Sequence, residues 1–214
     1  MIKKKKKKKK IDKYPIEKVD RNKTYTFLGF DISSSTIGYA SITVKDGYVL
    51  DVDCDYYKPN KKPTTIMSLV QTQKDMSVII NKMQKKAKAV GAELKVAVED
   101  FLLAHSNTSA QSITLLAIYN AAVCLSIHSV TQVDPRPIPV ATIRAKLRRL
   151  SGIKDISKEL VPDIVEEIIN NRKDGGWILE QYVGAKGGII VENYDIADGI
   201  GVALAYAYET GALC

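Results

Sequence analysis

The sequence predicts an α/β domain: a five-stranded mixed sheet, three antiparallel strands plus two parallel ones, flanked by helices. Three observations carry this. Three short apolar runs follow one another between residues 25 and 56, and Asp46-Gly47 joins the second to the third, a strong signal for a tight hairpin. After Pro59, stretches of helical periodicity twice alternate with short apolar runs, as in parallel crossovers. The chain then ends on a small, apolar stretch from Tyr194 to about Thr210, suited to a closely packed helix.

In order, Tyr25–Ile32 reads as the first strand, Ile37–Lys45 as the second and Tyr48–Tyr56 as the third. Thr64 to about Val90 carries Ile66, Leu69, Val70, Met76, Ile79, Ile80 and Met83 near helical spacing, with Gly91 as a stop. Leu94–Val98 is a fourth strand, ending at Glu99-Asp100. Ser106 to about His128 is an apolar helix, buried or facing a partner chain. Val130–Val133 reads as a fifth strand closed by Asp134-Pro135. Pro139–Leu150 is a helix with a basic face, and roughly Ser157–Asn171 another. Pro162 fits only near that helix's start, so the start is expected to lie later than Ser157. Residues 173–191, with five glycines and Trp177, read as a loop or hairpin. This element order is that of the ribonuclease H-like fold.

The chain of 214 residues, 45% hydrophobic and 26% charged, suits one globular domain. No apolar run is expected to span a bilayer, and the basic N-terminus lacks the apolar core of a secretory signal. Cys54, Cys124 and Cys214 form no spaced pair, which argues against a disulfide framework or structural zinc. Reduced thiols and an intracellular setting, including an infected cell, are the expectation, with no membrane partner. The net charge of +8 comes from Lys3–Lys10; without those eight, 24 basic residues face 24 acidic ones. Residues 1–24 are therefore expected to be a disordered basic tail, and 25–214 the domain. The tail is either a salt-sensitive nucleic-acid tether, a localisation signal or without function.

The chemistry starts at Asp31, an acid at the end of an apolar strand. A buried carboxylate needs a partner. Glu99 ends the fourth strand, which would neighbour the first. Asp195 and Asp198, spaced i and i+3, share one face of the last helix. Hard oxygen ligands in such a group suit Mg²⁺, with Mn²⁺ as a substitute. Two ions ~4 Å apart hydrolyse phosphodiesters by activating water and stabilising the leaving oxygen. Asp31 would bridge both ions, Glu99 hold one, and Asp195 and Asp198 complete the shell. Other readings stand beside this one: a turn-forming Asp31, a solvated Glu99-Asp100 loop, and Asp195 as a helix cap with Asp198 as its third-position acid.

At these residues the chain resembles the RuvC-like Holliday junction resolvases. Leu28-Gly29-Phe30-Asp31 followed by Thr36-Ile37-Gly38-Tyr39-Ala40 is similar to that family's first acidic motif. Val96-Ala97-Val98-Glu99 is similar to its second, and Ser106-Asn107-Thr108-Ser109-Ala110 to the helix start that follows. Ile143–Lys146 through Gly152 to Ser157-Lys158-Glu159 resembles its basic segment. Tyr194-Asp195-Ile196-Ala197-Asp198-Gly199-Ile200-Gly201-Val202-Ala203 resembles its terminal acidic helix. The resemblance spans about 26–208. It departs from the family in the long glycine-rich stretch, the lysine tail, and Asp31-Ile32-Ser33 where the family carries Asp-Pro-Gly.

The resemblance implies metal-dependent nicking of branched DNA, a four-way junction, by a homodimer with one active site per strand. The helix from Ser106 to His128 would be the dimer surface, or equally a core helix. Residues 136–158 carry seven basic residues and one acidic, so Arg144, Lys146, Arg148, Arg149 and Lys158 are the DNA-contact candidates. A solvated helix face is the alternative. Phe101 would stack on a base near the branch point or fill the core. His105 and His128 lack a metal-spaced partner, and no nucleophile elbow surrounds Ser33–Ser35. Competing functions are an RNase H-like nuclease on RNA or hybrid, a transposase-type domain, an actin-like ATPase domain and a non-catalytic DNA-binding module.

Overall fold

The computed structural model describes residues 15–60, 64–100, 109–174, 176–179 and 190–214. Lys3–Lys10, Phe101, His105, Ser106–Thr108 and most of the glycine-rich stretch lie outside the described residues.

Strands β1 (Tyr25–Ile32), β2 (Ile37–Lys45) and β3 (Tyr48–Tyr57) form the antiparallel meander. Asp46 and Gly47 both take positive φ, 54° and 84°, as a primed hairpin turn requires. Helix α1 (Thr65–Ala89) starts where the Thr64 hydroxyl accepts from the Met67 N–H. It stops at Gly91, whose φ is +66°, and leads to β4 (Glu93–Asp100), parallel to β1. Helix α2 (Ala110–Thr131) is capped by Ser109. Strand β5 (Arg136–Pro139) pairs in parallel with β4, giving the order β3-β2-β1-β4-β5. Helices α3 (Val140–Ser151), α4 (Val161–Asn170) and α5 (Glu192–Thr210) follow. The result is a five-stranded α/β sheet with helices on both faces.

The fifth strand is not where the sequence suggests. Val130 belongs to α2, which continues through Thr131 and closes at Gln132 in the left-handed region, φ 59°. The strand comes after Pro135 and carries Pro137 and Pro139. Proline lacks the donor that a central strand needs, and β5 is accordingly a four-residue edge strand. Similarly, Ser157 precedes a single 3₁₀ turn, Lys158–Leu160, and α4 starts at Val161 with Pro162 in its first turn. Helix α2 also corrects the expectation about apolar runs. Its 22 residues are long and apolar enough to cross a membrane by length and composition. It nevertheless lies against α1, with Ser126 donating to the Gln73 carbonyl across the contact, and buries Tyr119, Val123 and Ile127 there.

Strand alternation sends successive β1 side chains to opposite faces. Leu28 and Phe30 join Met76, Ile80, Val98 and Ile127 under α1 and α2. Phe27 joins Ile42, Leu147, Ile164 and Leu204 under α3, α4 and α5, with the Tyr206 ring edge-on to it at 5.7 Å. Gly29 and Asp31 share Phe27's face, the one α5 covers. Residues 18–21 reach the far end of α5: Val19 N–H donates to Thr210 O, Lys18 Nζ to Glu209 O and Arg21 Nε to Gly211 O.

Candidate active site

Two parallel strands bring the first two acids together. The β1–β4 register runs to Phe30 opposite Val98, so Asp31 and Glu99 are the next pair, at the strands' C-terminal ends. Ala97 lies in the α5-side core, which puts Glu99 two residues on along the same face as Asp31.

Glycines bring the other two. A Cβ on Gly29 would lie 2.3 Å from Gly199 O, and one on Gly38 would lie 1.8 Å from Asp195 O. Helix α5 therefore rests backbone to backbone on β1 and β2, closer than any side chain permits. That contact sets Asp195 and Asp198 beside Asp31. The capping alternative fails: the N-cap of α5 is Val191, without a side-chain cap. Asp195 instead accepts a hydrogen bond from Thr36 in the β1–β2 loop. Thr36 is buried; in the sequence nothing distinguishes its hydroxyl from those of Ser33–Ser35.

The four acids, half-buried, repel one another. Burial and the charges of Glu99, Asp198 and Asp195 push Asp31 well above the usual carboxylate range. Burial and Asp198 push Glu99 to about 7. Burial also raises Asp195 and Asp198. Such a group calls for positive charge. Two cations supply part of it: Arg144 Nη2 donates to Asp198 Oδ1 at 3.2 Å, and Lys158 Nζ stands 3.9 Å from both Asp195 Oδ1 and Asp198 Oδ2.

The donor set, four carboxylates and no soft ligand, fits a hard divalent cation. The spacing does not close on an ion: among the described residues no three His, Cys, Asp or Glu side chains are arranged to hold one. Arg144 and Lys158 are the counter-charges in this arrangement.

The basic candidates divide. Arg144 and Lys158 belong to the acid group. Lys146 turns away, to Glu209 Oε1 at 3.5 Å and over the Tyr208 ring at 5.6 Å. Arg148 and Arg149 are exposed on α3. His128 pairs with Asp134. Ser33 serves its own loop, accepting from Ser35 and Thr36 N–H. Beside Asp195 opens a cleft of about 1040 Å³, bridged by Lys58 and Glu192 at 2.5 Å; neither residue is marked by a motif.

No protein-family model matches the sequence, and no curated protein matches it. Solved structures do. The RuvC structure from Thermus thermophilus superposes with a TM-score of 0.59 at 15% identity, covering 87% of this chain and 97% of that one. The same organism's RuvC in complex with a Holliday junction substrate gives 0.55 at 13% identity, covering 88% and 97%. The yeast mitochondrial Holliday junction resolvase Ydc2 gives 0.54 at 11% identity, covering 92% and 82%. This chain has the ribonuclease H-like fold in the form found in RuvC and Ydc2.

Proposed function

We propose that the protein is a divalent-metal-dependent endonuclease that resolves four-way DNA junctions. The observation that carries this is the meeting of Asp31, Glu99, Asp195 and Asp198, from three elements, at one end of the sheet, with all four carboxylates raised first by burial and then by neighbouring acids. A fold that only needed stability would not gather four acids there. The likeness to RuvC and Ydc2 supports the choice of junction over other nucleic acids.

Mg²⁺, when bound, supplies charge neutralisation at the phosphodiester and an activated water. Asp31 and Glu99, fixed on adjacent strands, and Asp195 and Asp198, fixed by the glycine contacts, would hold it. Thr36 orients Asp195. Arg144 and Lys158 neutralise Asp198 in the metal-free protein; a bound cation would take over that charge, and Lys158, half-exposed, would be free to pair with a substrate phosphate.

Paired nicking requires two copies. Ile118, Ala121 and Leu125 form an exposed face of α2 opposite its α1 contact, and we assign the dimer contact to it. Sedimentation should give a dimer that Leu125→Arg converts to monomer. A substrate panel tests the function itself: with Mg²⁺ the protein should cut a synthetic four-way junction in preference to linear duplex and RNA–DNA hybrid. Equal cutting of linear duplex would remove the resolvase assignment.

A further inference from the structure

Helix α5 meets each strand of the meander at a different turn. Strand β1 meets it at Gly199 and Ala203 through Gly29, and β2 meets it at Asp195 through Gly38. The end of β3 meets it about one turn earlier. Lys58, the residue after the strand, places its Nζ 2.5 Å from Glu192 Oε1. Tyr56 is the register partner of Gly38, so this third contact stands beside the point where Asp195 rests on the sheet.

The contacts act differently. The glycines let backbone approach backbone, which fixes how near the helix lies. Bare backbone surfaces give little resistance to sliding or swinging along the sheet. A charge-assisted hydrogen bond from an anchored residue resists both. The first turn of α5 is where this counts, since its N-cap, Val191, makes no side-chain bond. Glu192 opens that turn and lies three residues before Asp195, a neighbour on the helix surface.

The anchor itself is firm. Tyr57 Oη donates to Asp75 Oδ2 at 2.7 Å, and Gln71 Nε2 donates to Asp75 Oδ1 at 2.8 Å, which ties the last residue of β3 to α1. Alternation turns Tyr56 to the opposite face. There it packs against the core under α5, with Lys58 Nζ 5.7 Å from its ring centre. The end of β3 is thus gripped from both faces, and Lys58 reaches from it to α5. The pair also carries charge. Burial and, behind it, the charge of Glu192 raise Asp195, against the pull of Lys158. Losing Lys58 would unmask Glu192, and that charge alone would draw a cation more tightly.

We propose that Lys58 is a positioning residue for Asp195: through Glu192 it holds the first turn of α5, and Asp195 with it, against the end of the meander. This rests on the nuclease reading above and adds to it a residue from β3, a strand that supplies none of the four acids.

The test is Mn²⁺ binding by the full-length protein without DNA, read from the electron paramagnetic resonance signal of the free ion. Lys58 is 55% exposed, which sets the size of the effect: Lys58→Ala and Glu192→Ala should each raise Kd about fivefold. The double variant should bind no more weakly than either single one. Lys58→Arg, which keeps the pair, should bind as wild type does. Lys86→Ala breaks another ion pair of β3, the one to Asp53, and should leave Kd unchanged. Junction cleavage at limiting Mn²⁺ should follow the same order. If wild type binds Mn²⁺ and Lys58→Ala binds it equally or more tightly, the pair contributes charge and not position; the proposal is overturned and the nuclease reading stands. If wild type binds no Mn²⁺ and cuts no junction, both fail.

Discussion

Gly38 and Asp195 touch through their backbones: a Cβ on the glycine would fall 1.8 Å from the Asp195 carbonyl oxygen. The neighbouring contacts repeat this. Gly199 packs on Gly38 and Tyr39, and Gly29 on Gly199 and Ala203. The two acids of α5 are therefore placed by missing side chains on β1 and β2. Gly38→Ala should push α5 outward and carry Asp195 and Asp198 away from Asp31. Overpacking of this kind costs about 1–3 kcal/mol, and the loss of cleavage should exceed what that instability explains. Denaturant unfolding beside single-turnover cleavage measures both. Unchanged cleavage would show that the contact does not set the site.

The raised carboxylates predict how metal-free stability responds to pH. Glu99 gives up its proton near 4.5 unfolded and at about 7 folded. Between those values the folded state binds more protons, so stability falls as pH rises through the window. The contribution is on the order of 3 kcal/mol at most, and Asp31, Asp195 and Asp198 act in the same direction. In EDTA, melting at pH 8 should be lower than at pH 5.5. Glu99→Gln should shrink the difference, and millimolar Mg²⁺ should raise the pH 8 value in wild type. An identical pH slope in the variant would count against the account.

Arg144 is the internal counter-charge for Asp198. Their side chains are 20% and 13% exposed, between the surface and buried regimes of ion pairs. Arg144→Gln should destabilise the metal-free protein by about 1–3 kcal/mol, and Mg²⁺ should recover part of that. Urea unfolding with and without Mg²⁺ reads the difference.

The basic residues of α3 should separate by role. Lys146 faces the buried Glu209, so Lys146→Ala should lower stability and leave junction affinity nearly unchanged. Arg148→Ala and Arg149→Ala remove exposed charge. They should hold stability within about 0.5 kcal/mol, weaken junction binding and each reduce the salt slope by about 1. Titrations across salt concentrations check this.

Much of this was readable in advance because period and punctuation act locally. The alternation from Tyr25 to Lys45, the Asp46-Gly47 turn and the Gly91 stop each depend on near neighbours, and each lies where the pattern puts it. The acids were readable because strand ends and one helix face are fixed by the same periods. What escaped depends on distance. Val130–Val133 looks like a strand, but the helix before it finds a stop only at Gln132. Lys146 and Arg148 look alike in sequence, yet Glu209, near the other end of the chain, claims Lys146. The Thr36 bond to Asp195, the Arg144–Asp198 pair and the Lys58–Glu192 bridge join residues 54 to 159 positions apart, and no local pattern marks them.

The most direct test of the central claim is cleavage of a synthetic four-way junction, with and without Mg²⁺, by wild type and by Asp31→Asn. The carboxylate account predicts symmetric nicks by wild type in Mg²⁺ only, and no nicks by Asp31→Asn, which still binds the junction. Nicking by Asp31→Asn at the wild-type rate, or by wild type in EDTA, would contradict it.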